Sequence, residues 1–327
     1  NKKPVLRNGL FKNLFMKTRS VYFVLSPLLL ISSVLFLSDS LSCEKKSSNL
    51  PAGPDSAVNA PVSISTKGAL SSFLKESSGL CYTDGGLWSF GDSGNPPWLL
   101  KVDTVTGATV QTIEISNYSN TDWEDITADS AYIYIGDFGN NNGNRNDLRI
   151  LRVNKSDIAG SAPVISANAE AINFSYADQT DFTANGITNY DCESVVSVGD
   201  SLYLFTKDRG DFHTRCYVLS KQPGSYNISP RGIFNTIGKV TAAAYNPVTH
   251  ELALLGYQDQ KLNSFIWFFD GFGDTDFFGG TSQQVVIGKS NLQWQTEGLD
   301  YISPDRLLMS CETTPGTPAS LYAVQKK

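Results

Sequence analysis

Histidine and methionine are scarce in this chain, with two of each among 327 residues. A His-ligated metal centre and a Ser-His-Asp triad each need an imidazole at a specific place, so neither is favoured. Gly-x-Ser-x-Gly, a phosphate-cradling Gly-rich loop and Cys-x-x-Cys are all missing, which removes the usual signals for a serine hydrolase, a nucleotidase or a dithiol redox protein. Charged residues are only 18% and aromatics 11%, a balance foreign to disordered or coiled-coil chains. Basic residues are also short beyond Cys43. Six of the 26 Lys and Arg (Lys2, Lys3, Arg7, Lys12, Lys17 and Arg19) precede it, but only Asp39 of the 32 acids does, leaving 20 bases against 31 acids. That excess of acid excludes a phosphate-neutralising surface, and with it nucleic acid as a partner.

What is present begins with an address. From Met16 a short basic start leads into the apolar run Val21 to Leu37, then through Ser38-Asp39-Ser40-Leu41-Ser42 to Cys43, the layout of a secretory signal. It resembles a bacterial lipoprotein signal, with Ser40 where Leu is usual. The resemblance implies lipidation of Cys43, attachment to a membrane, and a location in the cell envelope. Residues 1–43 are therefore set apart as upstream sequence and signal, and residues 44–60, rich in Ser, Pro and Gly, as a tether.

Residues 61–327 carry a repeat. An opening triplet starts a short strand at Ser78-Gly79-Leu80, Glu124-Asp125-Ile126, Glu193-Ser194-Val195, Ala242-Ala243-Ala244 and Glu297-Gly298-Leu299. A turn and a second aliphatic or aromatic strand follow each, as in Asp84-Gly85-Gly86 before Leu87 to Phe90. A third and a fourth strand complete each unit. Four strands recurring at this interval predict an all-β chain folded as a β-propeller. Five blades are counted, and a sixth has room in the long step between Asp125 and Ser194, whose excess is assigned to a loop around Asp178 to Asn189. The strand-like Val62 to Thr66 is expected to complete the last blade, closing the ring and hiding its edges.

In a propeller the first strand of each blade lines the channel, so its start and the end of the second strand share one face. Glu124, Glu193 and Glu297 stand at the first position and are assigned as metal ligands. Asp92, Asp137, Asp208 and Glu312 close second strands and, with Asn140 and Asn141, are assigned to the same binding face. Carboxylates crowded on one axis must take up protons, pair with cations or hold a metal. Oxygen ligands without His or thiolate select Ca2+. The Asp set has a structural alternative, since Asp-x-Gly at Asp92, Asp137 and Asp208 is also the chemistry of an Asx turn. His213, in the loop after a second strand, is a candidate base. Cys81, Cys192, Cys216 and Cys311 sit in or beside predicted strands, where disulfides and buried thiols are both open.

Glu297-Gly298-Leu299 and, more loosely, Glu193-Ser194-Val195 and Glu124-Asp125-Ile126 resemble the strand starts of exported phytase-like and gluconolactonase-like periplasmic propellers. That resemblance implies a channel calcium. The block Gly136-Asp137-Phe138-Gly139-Asn140-Asn141 resembles one found in envelope lipoproteins. The expectation is a monomeric, lipid-anchored binding module that recognises an envelope protein, peptide or glycan through a cation site. The alternative is a calcium-dependent hydrolase of phosphoesters or lactones. Only Lys207, Arg209 and Arg145 are available on the acidic face, which disfavours a highly anionic substrate.

Overall fold

The computed structural model describes residues 61–258, 263–288 and 294–327; Cys43, the signal and the tether lie outside them. The chain enters on β1 (Val62–Ala69) and makes a first sheet from β2 (Ser77–Thr83), β3 (Gly86–Gly91), β4 (Trp98–Val102) and β5 (Thr109–Ile115). Asp84 and Gly85, at φ 51° and 72°, form the left-handed turn that matches the twist of a hairpin between β2 and β3. The second sheet contains β6 (Trp123–Ala128), β7 (Tyr132–Asp137), β8 (Arg149–Asn154) and, after β9 (Val164–Ala167), β10 (Ala169–Tyr176). The third contains β11 (Cys192–Val198), β12 (Ser201–Thr206), β13 (His213–Ser220) and, after β14 (Gly224–Ile228), β15 (Pro230–Asn235). The fourth is β16 (Lys239–Asn246), β17 (Glu251–Gln258), β18 (Asn263–Asp270) and β19 (Thr281–Val286). The fifth is β20 (Thr296–Ser303), β21 (Arg306–Cys311) and β22 (Ser320–Lys326), with β1 as its outer strand, Val62 opposite Lys326 and Ala69 opposite Ser320.

These are the five four-stranded blades of a β-propeller, and both ends of the described chain meet in the last one. The long step after Asp125 holds no sixth blade. It holds β9, which adds in parallel to β5 of the first blade, and the loop before β11. In the same way β14 leaves the third blade and adds in parallel to β10 of the second. Each of these strands covers the outer edge of the preceding blade, an edge otherwise open to pairing with another chain.

The core lies in the seams between blades, one apolar cluster to each. Phe90, Ile113, Trp123 and Ile135 fill the first seam, with Phe90 and Trp123 edge to face at 5.3 Å. Tyr176, Leu204 and Tyr217 fill the next, Phe205, Leu254 and Phe277 the third, Leu255, Leu299 and Met309 the fourth, and Leu80, Leu100 and Leu321 the last. Cys81, Cys192, Cys216 and Cys311 are free thiols buried in this packing.

At the axis the inner strands approach closely. A Cβ on Gly298 would lie 2.7 Å from Leu80 Cγ, and one on Gly79 3.0 Å from the Asp125 Cα. Each inner strand pairs with its blade on one side only, so its other edge needs partners from the side chains of its neighbours. The fully buried Asp125 accepts from the backbone N–H groups of Ile126 at 2.8 Å, Val195 at 2.9 Å and Ala243 at 3.4 Å, tying three blades together. Asp300 joins the fifth blade to the first by accepting from Tyr82 N at 2.6 Å. Ser78 Oγ donates to the Glu124 carbonyl at 2.5 Å, and Thr241 Oγ1 to that of Thr296 at 2.6 Å.

Asp125→Ala orphans those three N–H groups, each costing roughly 1–3 kcal/mol. Urea denaturation should show a loss of about 3 kcal/mol or more, with Asp125→Asn intermediate; a loss no larger than that of an exposed Asp→Ala control would refute the stitching role.

Candidate functional site

Every inner strand departs from regular pairing near its start. The register against the second strand slips between Ser78 and Cys81, Trp123 and Asp125, Cys192 and Ser194, Val240 and Ala242, and Thr296 and Gly298. Each slip is a β-bulge, which re-aims the extra residue's side chain. In the second, third and fifth blades that residue is Glu124, Glu193 or Glu297; in the fourth it is Thr241. The three glutamates are 2–5% exposed.

A second recurring bond fixes the residues that face them. In four of the five blades the N–H following the second strand donates to a carbonyl just before the bulge of the first: Asp92 to Glu76, Phe138 to Asp122, Lys207 to Asp191, and Glu312 to Gln295. Asp92, Phe138, Lys207 and Glu312 are therefore equivalent positions. Asp137 and Asp208 stand one residue before and one after this position, and in an extended chain one residue reverses the side chain's direction. Asp137 is held by Arg145 at 3.2 Å, Arg149 at 2.7 Å and the Asp122 N–H at 3.1 Å. Asp208 pairs with Arg215. Both acids are thus paired with arginines beside the mouth. The Asn140 N–H donates to Asp191 at 2.6 Å, and its amide bridges the Tyr190 carbonyl and Arg145 N–H. Exposed Asn141 accepts from Arg209.

Asp92, Asp122 and Glu124 come together, with one oxygen of each carboxylate within 4.8 Å of the others. Asn120 places them, donating to the carbonyls of Gly91 at 2.8 Å and Asp92 at 3.0 Å and accepting from Trp123 N at 3.1 Å. Gly139 leaves the room they occupy, since a Cβ there would stand 2.2 Å from Glu124 Oε1 and 2.5 Å from Asp122 Oδ2. Sequence spacing pointed to Asp92 and Glu124 but missed Asp122, which lies in a loop two residues before the bulge.

Burial and mutual repulsion raise the acids of this mouth. Asp122 is pushed up to about 6 by burial and then by Asp92. Glu124 rises well above the usual carboxylate range through burial, then Glu193, Asp92 and Asp122. Glu297 and Glu312 are each pushed up to about 8, first by burial, and against the opposing pull of Lys207; Glu312 and Asp92 repel the first, Asp92 and Glu76 the second. Lys207 is the cation in the ring. Burial opposes its charge, but Glu193, at 3.1 Å, then Tyr257 and Glu297 hold its pKa well above the ordinary lysine value. Arg209 pairs with Asp191 at 2.7 Å. Glu297 Oε1 is buried without a hydrogen-bond partner.

His213 opens β13, half-buried, with Nδ1 2.8 Å from the Asp211 carbonyl. His250 lies in a turn beside the Tyr245 hydroxyl at 3.2 Å.

Folded protein with Glu297 and Glu312 raised from 4.5 to about 8 keeps protons that the unfolded chain has released. Their contribution to stability is therefore full at low pH and is lost as pH rises through this window. In EDTA, the urea midpoint should fall between about pH 5 and 8, and Glu312→Gln should flatten the fall. A parent profile that is level or rising there would contradict the assignment.

The sequence matches no family model and no curated protein. Among solved structures it is similar to a glucose dehydrogenase, at 9% identity and a TM-score of 0.45, covering 81% of this chain and 100% of that one. It is similar also to the soluble aldose sugar dehydrogenase from Escherichia coli, at 8% and 0.46 with the same coverage, and to an exo-β-1,3-galactanase from Phanerochaete chrysosporium, at 10% and 0.45, covering 76% and 58%. No site residue is carried over from these structures, and the chemistry of this mouth rests on its own side chains.

Proposed function

We propose that the protein is a lipid-anchored binding propeller of the cell envelope, whose acidic channel mouth holds a calcium ion. The observation that carries the cation site is the convergence of Asp92, Asp122 and Glu124 to within 4.8 Å. Calcium takes six to eight oxygens at about 2.3–2.6 Å, so oxygens on opposite sides of one ion stand about 5 Å apart. Glu193 and Glu297 border the same charge, with Lys207 satisfying Glu193. The unpartnered Glu297 Oε1 supports an extension of the donor set across the mouth.

Three carboxylates leave calcium with unfilled positions. An oxygen-bearing partner, such as a peptide carboxylate or the vicinal hydroxyls of a glycan, would complete the shell, so the ion supplies the recognition that a channel short of Lys and Arg does not. Glu297 and Glu312 support a second reading. Carboxyl groups protonated at neutral pH are general acids, as calcium-dependent hydrolysis of a phosphoester or lactone would need.

A ligand that binds only the folded state raises stability, by about 2.7 kcal/mol at a hundred times its Kd. Millimolar calcium should therefore raise the thermal midpoint of residues 60–327 above its value in EDTA. Asp122→Asn and Glu124→Gln should abolish the rise. Asp137→Asn should lower the midpoint in both buffers and keep the calcium increment. If the parent melts identically with calcium and with EDTA, the cation site is wrong. Loss of phosphoester or lactone hydrolysis in Glu312→Gln would move the function from binding to catalysis.

A further inference from the structure

We infer that the opposite end of the channel is a second binding site, for a primary ammonium group, with Asp300 as its counter-ion. A cavity of about 310 Å³ opens there, walled by the later residues of all five inner strands, among them Tyr82, Thr127, Ser197, Ala244 and Asp300. This volume is at the small end for organic ligands. Asp300 is the one carboxylate of the lining, which contains no Lys, Arg or His.

Two features select the ligand. The first is charge. Among the described residues no ion pair reaches Asp300, whose oxygens accept from Tyr82 N at 2.6 Å and Tyr301 N at 2.8 Å. An ionised carboxylate has about four acceptor sites, so capacity remains for a ligand. Burial pushes its pKa up to about 7 against these two bonds, as befits an acid lacking a cation. Asp125 repels rather than neutralises it.

The second feature is hydrogen-bond polarity. The inner strands present a free backbone edge to the channel, and several donors on that edge are taken: Tyr82 N by Asp300, Val195 N and Ala243 N by Asp125, and Ser197 N by Thr127 Oγ1 at 3.2 Å. The same edge carries backbone carbonyl oxygens, which suit a cation that donates hydrogen bonds. A single carboxylate is too small a donor set for a divalent ion. An organic amine, or a lysine side chain of a partner, fits both charge and polarity.

The test uses ethanolamine as the primary amine and choline as its quaternary analogue, each titrated by calorimetry into residues 60–327 at matched ionic strength in EDTA. Ethanolamine should bind at least tenfold more tightly than choline. Asp300→Asn should lose this binding, and so should Ser197→Phe, which fills the cavity and leaves the carboxylate in place. Circular dichroism and the urea midpoint of both variants serve as the check on folding. No heat with ethanolamine, equal binding of choline, or full binding by a folded Asp300→Asn protein would each overturn the assignment.

Discussion

A β-bulge repeated at the start of every inner strand is the constraint on which the acidic mouth depends. In a regular strand Glu124, Glu193 and Glu297 would each face an apolar seam between blades, where an ionised carboxylate has no place. The extra residue breaks the strand's alternation and delivers the side chain to the axis instead. Beside the bulges of the first and fifth blades, Gly79 and Gly298 let neighbouring inner strands approach. The repeat that closes the ring is thus the same repeat that concentrates charge at its end.

That concentration would be untenable without internal relief. Lys207 occupies the position held by Asp92 and Glu312 in other blades, and its ammonium sits against Glu193. Arg209 neutralises Asp191, while Arg145 and Arg149 neutralise Asp137. Positive charge is thereby spent on the third blade and on the rim, and the mouth acids left without an ion pair among the described residues are Asp92, Asp122 and Glu124 between the first and second blades and Glu297 and Glu312 on the fifth. Deeper in the channel Asp125, and at its far end Asp300, meet a different demand. They satisfy backbone donors on the free inner edges, and only Asp300 also lines open space.

Much of this fold was legible because hairpins announce themselves locally. Turn residues such as Asp84-Gly85 and alternating strands recur in the sequence, and the clasp of β1 on β22 followed from a missing fourth strand. The strands β9 and β14 were not legible. They join another blade's outer edge in parallel, so no turn couples them to their partners. In the site, the Glu series stood out by position, but the bulge that gives it direction leaves no mark in residue type. Asp137 and Asp208 looked equivalent to Asp92 and Glu312, since spacing does not reveal a shift of one residue. Only the bonds from Phe138 and Lys207 to the preceding strand start reveal it. Asp122 escaped notice because it belongs to neither strand.

The most direct test of the cation site is an anomalous difference map from crystals grown with manganese as a calcium surrogate. The account predicts one strong peak among Asp92, Asp122 and Glu124, at about 2.1–2.6 Å from their oxygens. A mouth without a peak, with Lys207 or solvent alone against these acids, would contradict it.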